Sequence, residues 1–409
     1  MDETNLLADA SIFNAISAYD ISRPEFYAKF SKHGPVLTIA PGSGEYCYGK
    51  WVGGASIRAG ATYAAGAGYT GGGGAEIKAL ISWAGEDGKY IVREFLLPAD
   101  NDGKKRLYKK MRAPEGAAMA FMELSYSCDA SITTPKRVVW SDIYIAEARP
   151  DDKRPVTLAS AFFAPRRDMD KNLSAMIELI DAAGDYGADI VCFTENAYDR
   201  GAGTRLTDKC EAAPGRFTDA LSNAAVKNNL YVIAGMTEEA EGYYYNTAVL
   251  IGRGGAIEGK YRKTHLPAGE KEAGYRPGAS LKVFDTDFGR IGIMICFDIE
   301  YVEAARKLKN EGAEIIFIPT IGNYLTQSLV CAKRNGIYVA VAGSDGGGPS
   351  PSRVINPNGE VVAAAGPEDG LAIKKIDLSE GCYGPGTGFW PAASDARNAL
   401  IMQRREVLY

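Results

Sequence analysis

The spacing of apolar residues changes near residue 150, and this change constrains the fold more than any other feature of the sequence. Before it, short alternating or aromatic-rich runs are separated by turn-rich segments such as 71–74 and 86–89. Short strands with such regular punctuation predict an antiparallel, jelly-roll-like β-sandwich. After it, apolar runs of strand length alternate with segments of helical spacing. That alternation predicts an α/β domain with a largely buried central sheet.

Chain length is a second reason to expect two domains. A chain of 409 residues exceeds what one ordinary hydrophobic core supports. The segment 149–155 is charged and bracketed by prolines, and we interpret it as the linker. The sequence therefore predicts a β-sandwich domain over 1–150 and an α/β domain over 151–409, the latter including a C-terminal tail.

Charge and hydropathy exclude several classes of partner. The net charge of −5 and a pI near 5.4 indicate no excess of positive charge that would attract DNA or RNA, so no nucleic acid is expected as a partner. No stretch approaches the ~20 apolar residues that a membrane-spanning helix needs, so no membrane association is expected.

Cysteine usage bears on metal binding and on the cellular compartment. The seven cysteines are scattered and lack both CxxC pairs and zinc-like spacing, so we expect reduced thiols and no metal site. Reduced thiols and an amino terminus without signal-peptide features favour the cytoplasm. A chain whose leader had been removed would look the same, so an extracytoplasmic location is the alternative.

Cys296 is the first candidate for chemistry. It ends the apolar run 291–295, which is typical of a buried strand, and the following segment 300–309 has helical spacing. A thiol at such a strand-to-helix turn faces the positive end of the helix dipole and free amides, which lower its pKa and provide donors for an oxyanion. Cys296 is therefore a candidate nucleophile. Taken alone, it is also explained as an inert core thiol.

Two charged residues follow other predicted strands. Glu195 ends the run 191–195, and Lys263 follows a predicted hairpin strand. If all three strands belong to one sheet, the three side chains meet beyond its carboxyl edge. A desolvated carboxylate is then a base for the thiol proton, and a buried lysine stabilises the thiolate and a tetrahedral oxyanion. Taken singly, Glu195 and Lys263 are also explained as a loop carboxylate and a surface lysine, so the prediction rests on their joint placement.

The segments around these residues resemble the signature blocks of the carbon-nitrogen hydrolase (nitrilase-like) superfamily, whose Glu, Lys and Cys triad has this order and similar spacings. The matching segments are 187–195, 261–267 and 289–298. The resemblance extends over roughly 156–375. Thr194 and Val302 stand where proline is usual, which leaves the triad intact and the subfamily open.

The resemblance implies a four-layer α-β-β-α fold for the second domain. It also implies a homo-oligomer, a dimer or larger, in which the C-terminal tail often reaches across to the partner.

The resemblance further implies a reaction that requires no cofactor. Cys296 attacks the carbonyl of an amide or carbamoyl substrate, while Lys263 and the Phe297 backbone amide hold the oxyanion. Glu195 takes the thiol proton, returns it to the leaving amine and activates water for hydrolysis of the thioester. Glu270 matches a second glutamate that positions the lysine or the water.

The substrate and the type of reaction stay open at this point. Amide hydrolysis is the commoner chemistry of the superfamily, so we expect an amidase, with a nitrilase as the alternative. We expect Phe297, Tyr275 and Tyr324 to contact the small-molecule substrate. A Cys-His thiol acyltransferase that uses His265 as its base is another alternative.

The N-terminal domain offers a different class of function. The run 140–145 is similar to the last strand of galactose-binding-like, carbohydrate-binding modules, which implies a carbohydrate ligand at this domain. A non-catalytic glycan-binding protein is thus a further alternative for the whole chain. Candidates for stacking on sugar rings, each of which a place in the core would also explain, are Trp51, Tyr63, Tyr69, Trp83 and Tyr90.

Overall fold

The computed structural model describes residues 5–7, 13–17, 25–31, 34–42, 46–99, 105–129, 134–344, 352–365, 370–384, 393–399 and 402. Those within 1–152 and 383–409 form one compact unit, and those within 153–382 form another. Among the described residues, no helix is long and apolar enough to cross a membrane.

The secondary structure follows the two patterns of the sequence. Residues up to 152 contain the strands β1 (Phe13–Ser17), β2 (Glu25–Ser31), β3 (Gly34–Ala40), β4 (Tyr46–Ser56), β5 (Thr62–Gly71), β6 (Ala75–Ala84), β7 (Tyr90–Phe95), β8 (Leu97–Pro98), β9 (Lys105–Arg112), β10 (Met119–Asp129) and β11 (Val138–Glu147). The second unit contains the strands β12 (Pro155–Phe162), β13 (Ile190–Cys192), β14 (Tyr231–Ala240), β15 (Tyr243–Ile251), β16 (Ile257–Arg262), β17 (Val283–Asp285), β18 (Arg290–Ile293), β19 (Ile315–Pro319), β20 (Tyr338–Ala342), β21 (Arg353–Ile355), β22 (Val361–Ala364) and β23 (Gly370–Asp377). Its helices are α1 (Met169–Asp185), α2 (Arg216–Asn228), α3 (Ala268–Ala273), α4 (Val302–Asn310) and α5 (Leu325–Asn335), with 3-10 turns at Leu206–Asp208 and Cys296–Glu300. The tail adds β24 (Tyr383–Gly384), β25 (Ala393–Asp395) and α6 (Ala396–Ala399).

The first unit is built from two sheets. One has the strand order β1-β4-β10-β6-β7-β25-β24, and the other has the order β2-β3-β11-β5-β9-β8. Buried and more exposed residues alternate along β4, as expected for a strand with one face in a core. The inward-facing side chains form one hydrophobic cluster, in which Trp51 and Leu124 of the first sheet join Leu107 and Trp140 of the second.

Three of the aromatic candidates for sugar stacking lie in this cluster. Trp83 is 0%, Tyr63 2% and Trp51 7% exposed, so none of them presents a ring face to a ligand. Sugar stacking is thus contradicted for these three residues, because their rings are taken up by the cluster between the two sheets. Tyr69 is half-buried, and Tyr90 is 39% exposed.

The C-terminal tail is part of the first unit, which corrects our assignment of residues up to 409 to the second domain. β25 pairs in parallel with β7, and buried Asp395 accepts a hydrogen bond of 3.2 Å from Lys109 Nζ. The same ammonium donates to buried Glu94 at 2.6 Å. Pairing between segments so far apart in the chain leaves no local pattern in the sequence. The glycine-rich stretch 385–390 lies outside the described residues.

The second unit also contains two sheets. Sheet I has the strand order β16-β15-β14-β13-β12-β23, and sheet II has the order β17-β18-β19-β20-β21-β22. Their facing sides share a cluster in which Ile190 and Leu250 of sheet I meet Ile293 and Phe317 of sheet II. One face of these apolar strands is therefore buried between the sheets, and the other face is buried in separate clusters.

Helices cover the outer face of each sheet. Asp168 caps α1 by accepting a hydrogen bond of 3.0 Å from Lys171 N, and Met176 of α1 packs in one cluster with Leu221 of α2 and Val232 of sheet I. On the other side, α4 and α5 pack on sheet II through a separate cluster. The result is an α-β-β-α arrangement of layers.

The charge network of the tail leads to a prediction about stability. Replacing Lys109 with Met removes the cation from buried Glu94, while Asp395 keeps its pair with Arg397 at 3.1 Å, and the loss costs about 3 kcal/mol of unfolding free energy. Lys89→Met is the matched control, because its pair with Asp87 is solvent-exposed and contributes little to stability. Urea unfolding of both variants measures the difference. Equal losses in the two variants would contradict this role of the tail network.

Candidate active site

Cys296 lies at a tight turn that follows β18. It has a left-handed backbone conformation, with φ of 48°, and it begins the 3-10 turn Cys296–Glu300. The helix expected over 300–309 is present as α4, which begins at Val302. The amide of Phe297, in the first turn after the cysteine, is of the kind that is left without an intrahelical acceptor. The thiol therefore lies beside a short 3-10 turn instead of the end of a long helix.

The three candidate residues do not come from one sheet, so that expectation was wrong. β13 and β16, which precede Glu195 and Lys263, belong to sheet I, while β18, which precedes Cys296, belongs to sheet II. Continuous apolar strands carry no sequence signal for the sheet to which they belong. The ends of the strands meet because the two sheets pack face to face.

Asp298 connects the lysine segment of sheet I to the cysteine turn of sheet II. Its carboxylate, 0% exposed, accepts hydrogen bonds from Ile295 N at 2.8 Å and from Tyr261 Oη at 2.7 Å. It also accepts from His265 N at 3.0 Å, and it lies 2.8 Å from His265 Nδ1. His265 is thus engaged by Asp298, and its ring stacks on Tyr301 with 4.0 Å between centroids. Among the described residues, no hydrogen bond joins His265 to Cys296, and the charges that act on the Cys296 thiol are those of Glu195 and Lys263.

Close backbone packing fixes the end of the strand that carries Glu195. A Cβ atom on Gly235 of β14 would lie 2.5 Å from Asn196 N and 2.6 Å from Thr194 O, so only glycine fits there. The Thr194 hydroxyl, at the position where the family usually has proline, donates to Thr320 O beyond the end of β19. Glu195 is therefore anchored to both sheets.

Lys263 brings two carboxylates together in the protein interior. Lys263 and Glu195 are each 1% exposed. Lys263 Nζ donates to Glu195 Oε1 at 2.7 Å and to Glu270 Oε1 at 2.5 Å. Burial on its own lowers the pKa of Lys263, but the negative charges of Glu195 and Glu270 outweigh it and raise the pKa. The lysine is thus a fixed cation.

Asn246 belongs to the same cluster, and sequence reasoning missed it. Its Nδ2 donates to Glu195 Oε1 at 2.7 Å and approaches Glu270 Oε1 at 3.5 Å. The residue is buried in β15, and its carbonyl oxygen accepts a hydrogen bond of 2.8 Å from Lys263 N. A polar residue within a strand that is otherwise apolar, next to the lysine hairpin, is the signal that could have revealed it.

The electrostatics of the thiol differ from the expectation. Burial and the negative charge of Glu195 raise the pKa of Cys296 to about 11, and the nearby Lys263 offsets this only in part. The predicted lowering by a helix dipole was wrong, because the desolvated carboxylate outweighs the amides of a single 3-10 turn. Cys296 therefore holds its proton at neutral pH and requires a base in order to attack.

Three buried oxygen atoms of this cluster accept no hydrogen bond from the surrounding residues. Among the described residues, no hydrogen-bond donor lies in place for Glu195 Oε2, Glu270 Oε2 or Asn246 Oδ1, all of which are buried. Burial and the charge of Glu195 raise the pKa of Glu270, although Lys263 opposes them. Glu195 therefore has one oxygen held by Lys263 and Asn246 and a second oxygen available for proton transfer.

The residues predicted to contact the substrate lie at different places around the thiol. Tyr324 Oη is 4.0 Å from Cys296 Sγ. The Tyr275 hydroxyl is 2.7 Å from Thr237 Oγ1, and the charges of Asp199, Glu270 and Glu195 add to burial in raising its pKa. Phe297 is half-buried, with its ring edge against Tyr301. Contact of these three residues with a substrate stays a prediction.

The loop that carries Tyr324 is held by Arg353, a residue that the sequence did not single out. Tyr324 has a left-handed conformation, with φ of 36°. Arg353 Nη2 donates to the neighbouring Asn323 at both its backbone oxygen and its Oδ1, the latter at 2.7 Å. Arg353 is 4% exposed, and burial lowers its pKa to about 10. A buried guanidinium thus secures a strained loop beside the nucleophile.

Within the part of the chain that the structure describes, no cluster of three or more His, Cys, Asp or Glu side chains is arranged to hold a metal ion.

The amino-acid sequence is similar to those of known carbon-nitrogen hydrolases. The sequence profile of the family described as carbon-nitrogen hydrolase matches residues 157–381. The omega-amidase NIT2-A of Xenopus laevis is 32% identical over 236 residues, which is 51% of this chain and 83% of the relative. The omega-amidase NIT2 of Homo sapiens is 31% identical over 238 residues, covering 51% of this chain and 84% of the relative.

A solved structure shares the fold of the second unit. A mutant of the Nesterenkonia AN1 amidase from the nitrilase superfamily aligns with a TM-score of 0.51 at 20% identity. The alignment covers 63% of this chain and 97% of that one.

The cause of the raised thiol pKa leads to a prediction for alkylation. The rate at which iodoacetamide modifies Cys296 should rise with pH toward a midpoint of about 11. In Glu195→Gln the midpoint should fall, because a charge that raises the thiol pKa is removed. In Lys263→Met it should rise, because the compensating cation is lost. Peptide mapping confirms the modified residue. A midpoint that stays constant in both variants would contradict this arrangement of charges.

Asn246 gives a second prediction. Asn246→Ala should lower kcat by roughly tenfold to a hundredfold, because a hydrogen bond that orients a charged group contributes about 1.5–3 kcal/mol. Asn335→Ala is the matched control, since Asn335 is buried in α5 and its Nδ2 donates to a backbone oxygen, Cys331 O at 2.9 Å. We expect the control to lose stability and keep its kcat. Similar kcat values for both variants would refute a role of Asn246 in orienting Glu195.

Proposed function

We propose, since this chain belongs to the carbon-nitrogen hydrolase family, that its second unit hydrolyses an amide or N-carbamoyl substrate through a thioester on Cys296. The observation that carries the proposal is the buried cluster in which Lys263 joins Glu195 and Glu270, 2.7 and 2.5 Å away, with its charges acting on the Cys296 thiol. The similarity to proteins named omega-amidases supports an amide over a nitrile.

The first step joins sulfur to carbon. Because the thiol is neutral at rest, Glu195 takes its proton as Cys296 Sγ attacks the carbonyl carbon. The carbonyl oxygen becomes an oxyanion, and the Lys263 ammonium with the Phe297 amide stabilises it. Lys263 suits this role because its charge is fixed and desolvated.

The second step breaks the carbon-nitrogen bond. As the oxyanion collapses, Glu195 returns the proton to the leaving nitrogen, which departs as ammonia or an amine. The acyl group stays on Cys296 as a thioester.

In the third step, water hydrolyses the thioester. Glu195 takes a proton from the water as its oxygen attacks the acyl carbon, and the sulfur leaves and regains a proton from Glu195. Glu270 holds Lys263 in place through both half-reactions. The cycle ends with a neutral thiol and with a carboxylic acid from an amide, or a carbamic acid from a carbamoyl group.

A nitrilase is the second candidate, because the same triad serves attack on a nitrile carbon. A Cys-His acyltransferase finds less support, since the charges that act on the Cys296 thiol come from Glu195 and Lys263 and not from His265.

For the first unit, we propose an accessory role as a galactose-binding-like sandwich over 1–150. Two sheets that share one hydrophobic cluster support the jelly-roll-like assignment. Carbohydrate binding would rest on Tyr69 and Tyr90, which keep exposed surface. A homo-oligomer is proposed on the family resemblance alone.

Variants of the triad test the proposed reaction. Cys296→Ala should release no ammonia from a panel of amides and carbamoyl compounds while keeping the wild-type unfolding midpoint. Glu195→Gln should lose roughly a thousandfold in kcat, because it cannot move protons. Cys331→Ser, which changes a buried cysteine of α5, is the matched control and should keep full activity. Hydrolysis by Cys296→Ala would contradict the proposal. Activity of the wild-type protein on nitriles alone would favour the nitrilase.

A further inference from the structure

We propose that Cys47 and Cys128 form a disulfide that joins β4 to β10 in the first unit. The two residues are direct partners in the antiparallel register of these strands. Their sulfur atoms lie 2.9 Å apart, and both cysteines are free thiols in this structure. The pair takes no part in the proposed hydrolysis, so it forms a separate modification site.

The strand register meets the geometric requirement of a disulfide. Directly opposite residues of an antiparallel pair have Cα atoms about 4.5 to 5.5 Å apart, which lies within the range of about 4.4 to 6.8 Å found across disulfides. Both side chains belong to the hydrophobic cluster between the two sheets, so they point to the same side of their sheet. The bond therefore forms through side-chain rotation, with the strands left in place.

Burial determines how such a bond forms and how long it lasts. Cys47 is 1% and Cys128 5% exposed. Burial, with the adjacent Cys128, raises the pKa of Cys47 to about 12, so the thiolate needed for exchange is scarce in the folded unit. The bond should form quickly while the unit folds and slowly afterwards. Because the finished bond is buried, reductants should also cleave it slowly in the folded unit.

The chemistry is thiol-disulfide exchange with a small disulfide such as oxidised glutathione. One cysteine thiolate attacks this disulfide, forms a mixed disulfide and releases one glutathione thiol. The second cysteine thiolate attacks the protein sulfur of the mixed disulfide and releases the other glutathione thiol. The protein loses two protons and two electrons in total, and the small disulfide is reduced to two thiols.

The bond would act on stability over a long stretch of chain. It links residues that are 81 positions apart, and closing a loop of that length restricts the unfolded chain. The spacing of the cysteines in the sequence conceals the pair, because the two residues meet only through sheet pairing.

The test uses the full-length protein in a glutathione buffer rich in the oxidised form. One sample is incubated folded, and a second is unfolded and refolded in the same buffer. Remaining thiols are blocked with N-ethylmaleimide in denaturant, and the peptides are mapped by mass spectrometry. We expect a peptide that cross-links Cys47 to Cys128, fully formed in the refolded sample, and an unfolding midpoint above that of the reduced protein.

Two variants make the result specific. Cys47→Ser should abolish the cross-link, leave Cys128 open to alkylation and remove the effect of oxidation on the midpoint. Cys331→Ser, which removes a buried cysteine of the second unit, should keep the cross-link. Full alkylation of both Cys47 and Cys128 in both wild-type samples would overturn the proposal and leave two inert core thiols.

Discussion

The buried ammonium of Lys263 is the interaction on which the rest of the active site depends. A cation that is 1% exposed is tolerated only when it is paired, and its partners are Glu195 and Glu270. The pairing also sets the chemistry, because Lys263 and Asn246 occupy one oxygen of Glu195 and leave the other available for a proton. The same three charges thus make the cluster stable and orient its base.

Two sheets supply the groups of the proposed active site, so its geometry depends on contacts that cross between the sheets. Asp298 ties the segment after β16 to the turn after β18. The Thr194 hydroxyl ties the end of β13 to the end of β19. These polar contacts lie at the rim of an apolar interface between the sheets, where carboxylates are desolvated. That environment keeps the Cys296 thiol protonated and makes a base necessary.

The sequence predicted those features that depend on short-range pattern or on contiguous motifs. The α/β alternation, the strand before Cys296 and the charged residues that end up beside it are of this kind. The sequence did not predict features that arise from pairing between distant segments. Examples are the pairing of β25 with β7 and the contact of Asn246 with Glu195. The sign of the Cys296 pKa shift was also missed, because it depends on the balance between burial and neighbouring charges, which no local pattern encodes.

In the proposed reaction, Cys296 carries the acyl group between two half-reactions. This intermediate is detectable by rapid quenching of the wild-type protein with an amide substrate, followed by peptide mass spectrometry. We expect an acyl adduct on the Cys296 peptide, formed together with one equivalent of released ammonia or amine and removed again by hydrolysis. Steady turnover with no adduct on Cys296, or with an adduct on another residue, would refute a thioester at this cysteine.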